Sequence, residues 1–302
     1  MELCHLKEIG LPMASMATLN GVHKEPRKPK EAPKEAHTLQ ATPVEKGDKR
    51  EMRPQNALAQ PATHATRPLY MDGTYIFECE AQVREMSLNE GVLSIELDQT
   101  LFHPQGGGQP SDTGLLCAKG LSDLSVVFVS KDKVKEGVIR HDCKADEAVI
   151  QAWLSHKGKE LKVHCKVDEP KRRLAARLHS AGHLLDVAIF GLGFRWQAGK
   201  GYHFEEGPYV EYIPTNEGRQ LDMKDAKAKT VAMEEISAKM KELVAKNIST
   251  EIGFVDGMRT ISMDGVSCGC GGTHVESSSE IGEVSIKKIQ AKQGNIRVSY
   301  AV

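Results

Sequence analysis

No stretch of this 302-residue sequence approaches the ~18–20 uninterrupted apolar residues that a membrane span requires. The opening run, MELCHLKEIGLPMASMATLNG, lacks the sustained apolar centre of a secretory signal. It also carries Glu2 and Glu8, which an Arg-rich, acid-poor transit peptide avoids. An excess of either charge is missing too, with 40 Lys and Arg set against 41 Asp and Glu. That balance argues against a bulk electrostatic sponge for nucleic acid, while a local basic face stays compatible with it. A dense, even-numbered cysteine framework is absent as well. The cysteines number seven and five of them stand singly, which points to reduced thiols. These absences imply a soluble, cytoplasmic protein with no membrane partner, built as one large domain or two smaller ones.

Aromatic residues are missing from residues 1–66, where Lys, Glu, Pro, Ala, Gln and Thr dominate, as in KEPRKPKEAPKEAH. So little apolar surface cannot offset the entropy of ordering, and the segment reads as a disordered tail. Order is expected to begin near Thr74. TYIFECEAQVREM, GVLSIELDQTLFH, LSVVFVS and ELKVHCKVD read as strands, which makes 70–168 a small, barrel-like, largely antiparallel β domain. The period then changes. Leu174, Leu178, Leu185 and Ile189 share one helical stripe, with Pro170 suited to the first turn. A second helix is expected over about 222–246, among strand-like runs such as YVEYI and NIRVSYA. Residues 169–302 therefore read as a two-layer domain of helices on a sheet, and the fold class is α+β. No internal repeat is visible.

His179 and His183 lie four apart on the first of these helices, so their rings project from one face. Far along the chain, Cys270 and His274 sit in CGGTH, expected to be a glycine-rich turn entering a strand. Three imidazoles and a thiolate form a nitrogen–sulfur set suited to tetrahedral zinc. On spacing alone, a metal site and two unrelated pairs both stand. Ser180, Ala181 and Gly182 replace the glutamate of the HExxH metalloproteases, and the PCxxC partner of the deaminases is missing. The glycines at 106–108 lack the GKS/T of a phosphate-binding loop.

RLHSAGHLLD, CGGTHV and EIGEVSIKKI, in that order, resemble the editing domain of alanyl-tRNA synthetases and, more closely, the free-standing AlaX proteins. LDQTLFHPQGGGQPSDTG at 97–114 is similar to the glycine-rich motif of that family, and VDEPKRRLAARLH to its approach to the histidine pair. The resemblance covers about 74–302. It implies an editing domain over 169–302 holding one Zn2+ through His179, His183, Cys270 and His274. The implied activity is hydrolysis of the aminoacyl ester of Ser-tRNA(Ala) or Gly-tRNA(Ala), with alanyl-tRNA spared and no need for ATP. Gln197, in WQAGKG, falls where the family has a pocket glutamine. Gly107 and Gly108 belong to a loop that in the family reaches the pocket, an ordinary turn being the other reading. Arg172, Arg173, Arg177, Lys287 and Lys288 are expected at tRNA phosphates.

Two rival readings stay open: editing of another tRNA, such as Ser-tRNA(Thr), and a zinc module that binds tRNA or a synthetase without catalysis. The chain also departs from the family pattern. Gly182 stands where many relatives carry threonine, which is expected to widen the pocket or alter its discrimination. His103 replaces an aromatic residue. Cys268 is a spare thiol, a competing ligand or an oxidation liability. Asp186 reads as a solvent-facing carboxylate or as a group orienting a ligand histidine.

Overall fold

A computed structural model describes residues 65–302. Residues 1–64, which hold almost all of the expected tail, lie outside the described residues. Order begins earlier than the sequence pattern indicates. The Thr66 hydroxyl is buried and donates to Leu97 O at 3.0 Å, and β1 (Arg67–Pro68) follows it. Tyr70, 2% exposed, already belongs to the first core. A two-residue strand has no period to read, which is why this start is silent in the sequence.

β2 (Glu78–Asn89), β3 (Val92–Leu97), β4 (Gln99–Thr100), β5 (Gly114–Cys117), β6 (Leu124–Lys131), β7 (Ile139–Lys144), α1 (Glu147–Leu154) and β8 (Lys162–Val167) complete the first half. Six strands close an antiparallel barrel in the order β2-β3-β7-β6-β5-β8, while β1 pairs in parallel with β4. Alternation drives the closure. Along β8, Val163, Cys165 and Val167 point inward to meet Leu93, Ile95 and Leu97 from β3.

The second half comprises α2 (Glu169–Gly191), β9 (Gln197–Tyr202), β10 (Tyr209–Ile213), α3 (Ala226–Ala245), β11 (Glu251–Val255), β12 (Met258–Met263), β13 (Val266–Gly269), β14 (Ser285–Lys292) and β15 (Asn295–Ala301). Four strands form a sheet in the order β14-β15-β10-β9, and β11-β12-β13 form a separate meander. α2 begins where the Asp168 side chain accepts the Lys171 N–H at 3.3 Å, and Pro170 occupies its first turn. Its stripe of Leu178, Leu185 and Ile189 packs with Ile236 and Met240 of α3 and with Val298 of the sheet. The meander turns at Asp256-Gly257 and Asp264-Gly265, where both residues have positive φ, as two-residue hairpins require.

The fold is α+β, with one core inside the barrel and another between the helices and the four-stranded sheet. One expectation fails locally. CGGTH does not enter a strand: it leaves β13 and runs as irregular chain toward a 3-10 turn at Ser278–Ile281. No helix among the described residues is long and apolar enough to cross a membrane.

Candidate functional site

α2 supplies His179 and His183 one turn apart, and the chain leaving β13 supplies Cys270 and His274. Their ligand-type atoms all lie within 4.8 Å of one another. Cys270 Sγ is 3.5 Å from both His179 Nε2 and His274 Nε2. His183 Nε2 is buried with no hydrogen-bond partner among the described residues, as is His274 Nδ1. A buried imidazole nitrogen left bare is costly, and a cation among the four donors would remove that cost at His183 Nε2; in His274 it is Nε2 that faces Cys270, and the bare Nδ1 is the ring's other nitrogen. The four donors therefore fit a metal ion, in number and in chemistry.

Burial also fixes the protonation state. Desolvation, followed by the neighbouring histidines, holds His179 and His274 well below the usual imidazole range, and burial alone takes His183 down to about 4. All three are neutral at pH 7, the form that binds metals.

The surrounding groups aim these side chains. Gln109 is fully buried and its Oε1 accepts from His179 Nδ1 at 2.8 Å and from Thr273 N at 3.0 Å. With Nδ1 donating, His179 turns its Nε2 lone pair to the cluster. Cys268 Sγ lies 3.2 Å from His183 Nδ1, on the side of the ring away from Nε2, so it supports His183 and does not join the four. Arg259 Nη1 donates to Cys270 O at 2.8 Å and to Gly272 O at 3.1 Å, pinning the cysteine loop. A side chain at Gly272 would strike the His179 ring, which explains a glycine there.

The glycine-rich motif reaches this site from the barrel half. Gly107 (φ 57°) and Gly108 (φ 79°) form the tight turn between Gly106 and Gln109. Gly108 O accepts from His203 N at 2.9 Å, and a Cβ at Gly108 would lie 2.5 Å from Gly201 O. The turn thus docks on the end of β9 and delivers Gln109 to His179. Asp112 from the same motif is locked to Arg172, which also donates to Thr74 O at 3.1 Å.

His203 answers the question raised by Gly182. A Cβ at Gly182 would sit 2.5 Å from His203 Cε1, so the space left by the missing side chain holds an imidazole and the pocket is not widened there. His203 stacks on His179 with ring centroids 4.7 Å apart and donates through Nδ1 to Tyr300 Oη at 2.6 Å. The Tyr300 hydroxyl in turn donates to Leu178 O at 2.8 Å, which fixes this direction.

Three sequence expectations are corrected. Gln197 is exposed, because Trp196 and Ala198 on either side of it point inward and a strand sends alternate side chains to opposite faces. It does not face the cluster, and the buried glutamine that does is Gln109. Arg172 is 0% exposed and spent on Asp112, so it reaches no phosphate. Asp186 is not a solvent-facing carboxylate: its Oδ1 accepts the Tyr212 hydroxyl at 2.6 Å, and burial raises its pKa to about 7. The other cations differ among themselves. Arg177 is half-buried and donates to Ile281 O at 2.9 Å, Arg173 is exposed over the Tyr75 ring, and Lys287 and Lys288 are exposed on β14. Gln109, His203 and Arg259 were missed, and for Gln109 the signal was its place directly after the three glycines.

The family described as threonyl and alanyl tRNA synthetase second additional domain matches residues 258–298, which include Cys270 and His274. The alanyl-tRNA editing protein AlaX-M of Pyrococcus horikoshii is 30% identical over 239 residues, covering 77% of this chain and 96% of that protein. AlaX-M of Methanosarcina barkeri is 28% identical over 251 residues, covering 78% of this chain and 98% of that relative. The alanine–tRNA ligase of Halobacterium salinarum is 28% identical over 266 residues, and the chain spans only 26% of its length. A relative matched almost end to end at this identity shows that the chain belongs to the AlaX family of alanyl-tRNA editing proteins.

Proposed function

We propose that the chain is an aminoacyl-tRNA deacylase that hydrolyses Ser-tRNA(Ala), and Gly-tRNA(Ala) with it, at a site holding one Zn2+. The observation that carries this reading is the converging set of His179, His183, Cys270 and His274, with His183 Nε2 left without a hydrogen-bond partner among the described residues. Bound zinc supplies Lewis acidity and a lowered pKa for water, the chemistry that ester hydrolysis needs. The chain's own groups keep that site in register. Gln109 presents the His179 lone pair, and Arg259 holds the loop that carries Cys270. The turn at Gly107 and Gly108 delivers Gln109 to His179. Arg173, Lys287 and Lys288, all exposed, would contact acceptor-end phosphates and make binding salt-sensitive.

A complete set of four protein donors favours a second reading, because a closed tetrahedral zinc site is commonly structural. Deacylation of Ser-tRNA(Ala) beside Ala-tRNA(Ala), with wild type, Cys270→Ala and a chelator, decides between them. Loss of serine with alanine spared, abolished by the variant or the chelator, is the expected result. Zinc retained with neither ester hydrolysed would establish the structural module instead.

A further inference from the structure

The meander β11-β12-β13 turns one face toward the four-residue cluster. Alternation puts Arg259 and Ile261 of β12 on that face, with Cys268 of β13 and then Cys270. All four are buried. The register carries the same face on to the edge strand β11, where Ile252 pairs with Ile261 and Phe254 with Arg259. There the cover ends. Phe254 is 71% exposed, more than any other aromatic side chain among the described residues, and Ile252 is 53% exposed. Cys270 N donates to Arg259 O at 3.0 Å, so Phe254, Arg259 and Cys270 stand in one row across the meander. Two strand spacings, about 10 Å of backbone, separate Phe254 from a member of the cluster. The face also holds no carboxylate, since Glu251 falls on the opposite one with Ser262. A bare aromatic ring on a surface without negative charge suits a nucleic-acid base. Two side chains are too little for a stable contact between copies, which takes about 800 Å² from each partner.

We propose that Phe254, with Ile252 beside it, is the stacking platform for the last base of the tRNA, the one attached to the ribose that bears the ester. The assignment rests on the deacylase reading. In that substrate a single ribose joins base to ester, so a base on Phe254 leaves the ester along the row that leads to Cys270. Stacking is indifferent to the amino acid. Phe254 therefore holds the carrier of the ester and takes no part in telling serine from alanine.

The test measures hydrolysis of seryl-tRNA(Ala) by wild type, Phe254→Ala and Phe254→Trp. Phe254→Ala is expected to raise KM about 10-fold, as for loss of one stacked base, while kcat is kept and Phe254→Trp restores the wild-type KM. An unchanged KM, or a loss that tryptophan does not restore, overturns the proposal. A second arm needs no hydrolysis. Uncharged tRNA(Ala) carrying 2-aminopurine as its last base is titrated with the full chain, and stacking is read as quenching of the 2-aminopurine fluorescence. Quenching by wild type and not by Phe254→Ala supports the platform. That result with no ester hydrolysed would remove the deacylase reading and leave the platform standing. Hydrolysis with one KM for all three proteins and no quenching would remove the platform and leave the deacylase. Sedimentation velocity tests the other occupant: a wild-type dimer that Phe254→Ala takes apart would assign the face to a second copy and overturn the proposal.

Discussion

Each half of the molecule buries histidine, and the two do so in opposite ways. In the barrel, His141 is 0% exposed and both its nitrogens are answered: Nδ1 donates to Ile95 O at 3.0 Å, and Nε2 accepts the Thr100 hydroxyl at 2.7 Å. In the second half, His183 is half-buried, and its Nε2 is enclosed with no hydrogen-bond partner among the described residues. Depressed pKa values do not separate the two cases, since burial takes both His141 and His183 down to about 4. The missing partner separates them. A satisfied buried histidine is structural, whereas an enclosed nitrogen left bare beside a thiolate and two further imidazoles describes a place for an ion.

That contrast breaks most visibly under a pair of alanine substitutions. His183→Ala is expected to lose zinc, measured by elemental analysis, and to slow the proposed deacylation by on the order of 10²-fold or more. His141→Ala should keep its zinc and instead lose about 2–4 kcal/mol of stability, from the cavity and the stranded Thr100 hydroxyl. The pH dependence sharpens the same point. His141 titrates lower folded than unfolded, so the unfolded chain binds the extra proton between about pH 6.5 and about pH 4. Its contribution is whole above that window and is lost as pH falls through it. The wild-type urea midpoint should therefore drop more between pH 7 and pH 5 than that of His141→Ala. Equal drops would break the comparison.

A smaller effect is expected at Gly182. Alanine there gains about 1 kcal/mol of helix propensity, but its Cβ meets the His203 ring, and overpacking of this kind costs about 1–3 kcal/mol. Gly182→Ala should be destabilised and Gly182→Ala with His203→Ala relieved of the clash, as read by a thermal double-mutant cycle. Additive changes would mean that the ring does not fill this space. The smallest effect belongs to the surface. Replacing Lys287 or Lys288 by alanine should lower the slope of log affinity for tRNA against log salt by about 1 for each phosphate no longer neutralised, with folding unchanged. An unchanged slope would place the nucleic acid elsewhere.

The residues that were legible in the sequence are those governed by local repeats. Four-residue spacing on α2 placed His179 and His183 on one face, and the 174–189 stripe marked the side that meets the second core. Gln197 was misread although alternation was available: Trp196 and Ala198 flank it, and their burial requires it to point outward. Arg172 was misread for a different reason. It lies seven residues, two helical turns, before His179 and so on the same inward face, but nothing local shows that Asp112, 60 residues earlier, waits there to neutralise it.

The family, the α+β class and the four side chains that cluster could be read from periodicity and short motifs, because these record local geometry. What surrounds those side chains comes from the packing of segments distant in the chain. Gln109 meets Thr273 across 164 residues, and His203, just past the end of β9, fills the space at Gly182. Those contacts depend on how the barrel's glycine turn docks on β9, and a packing relation between distant segments leaves no period in either one.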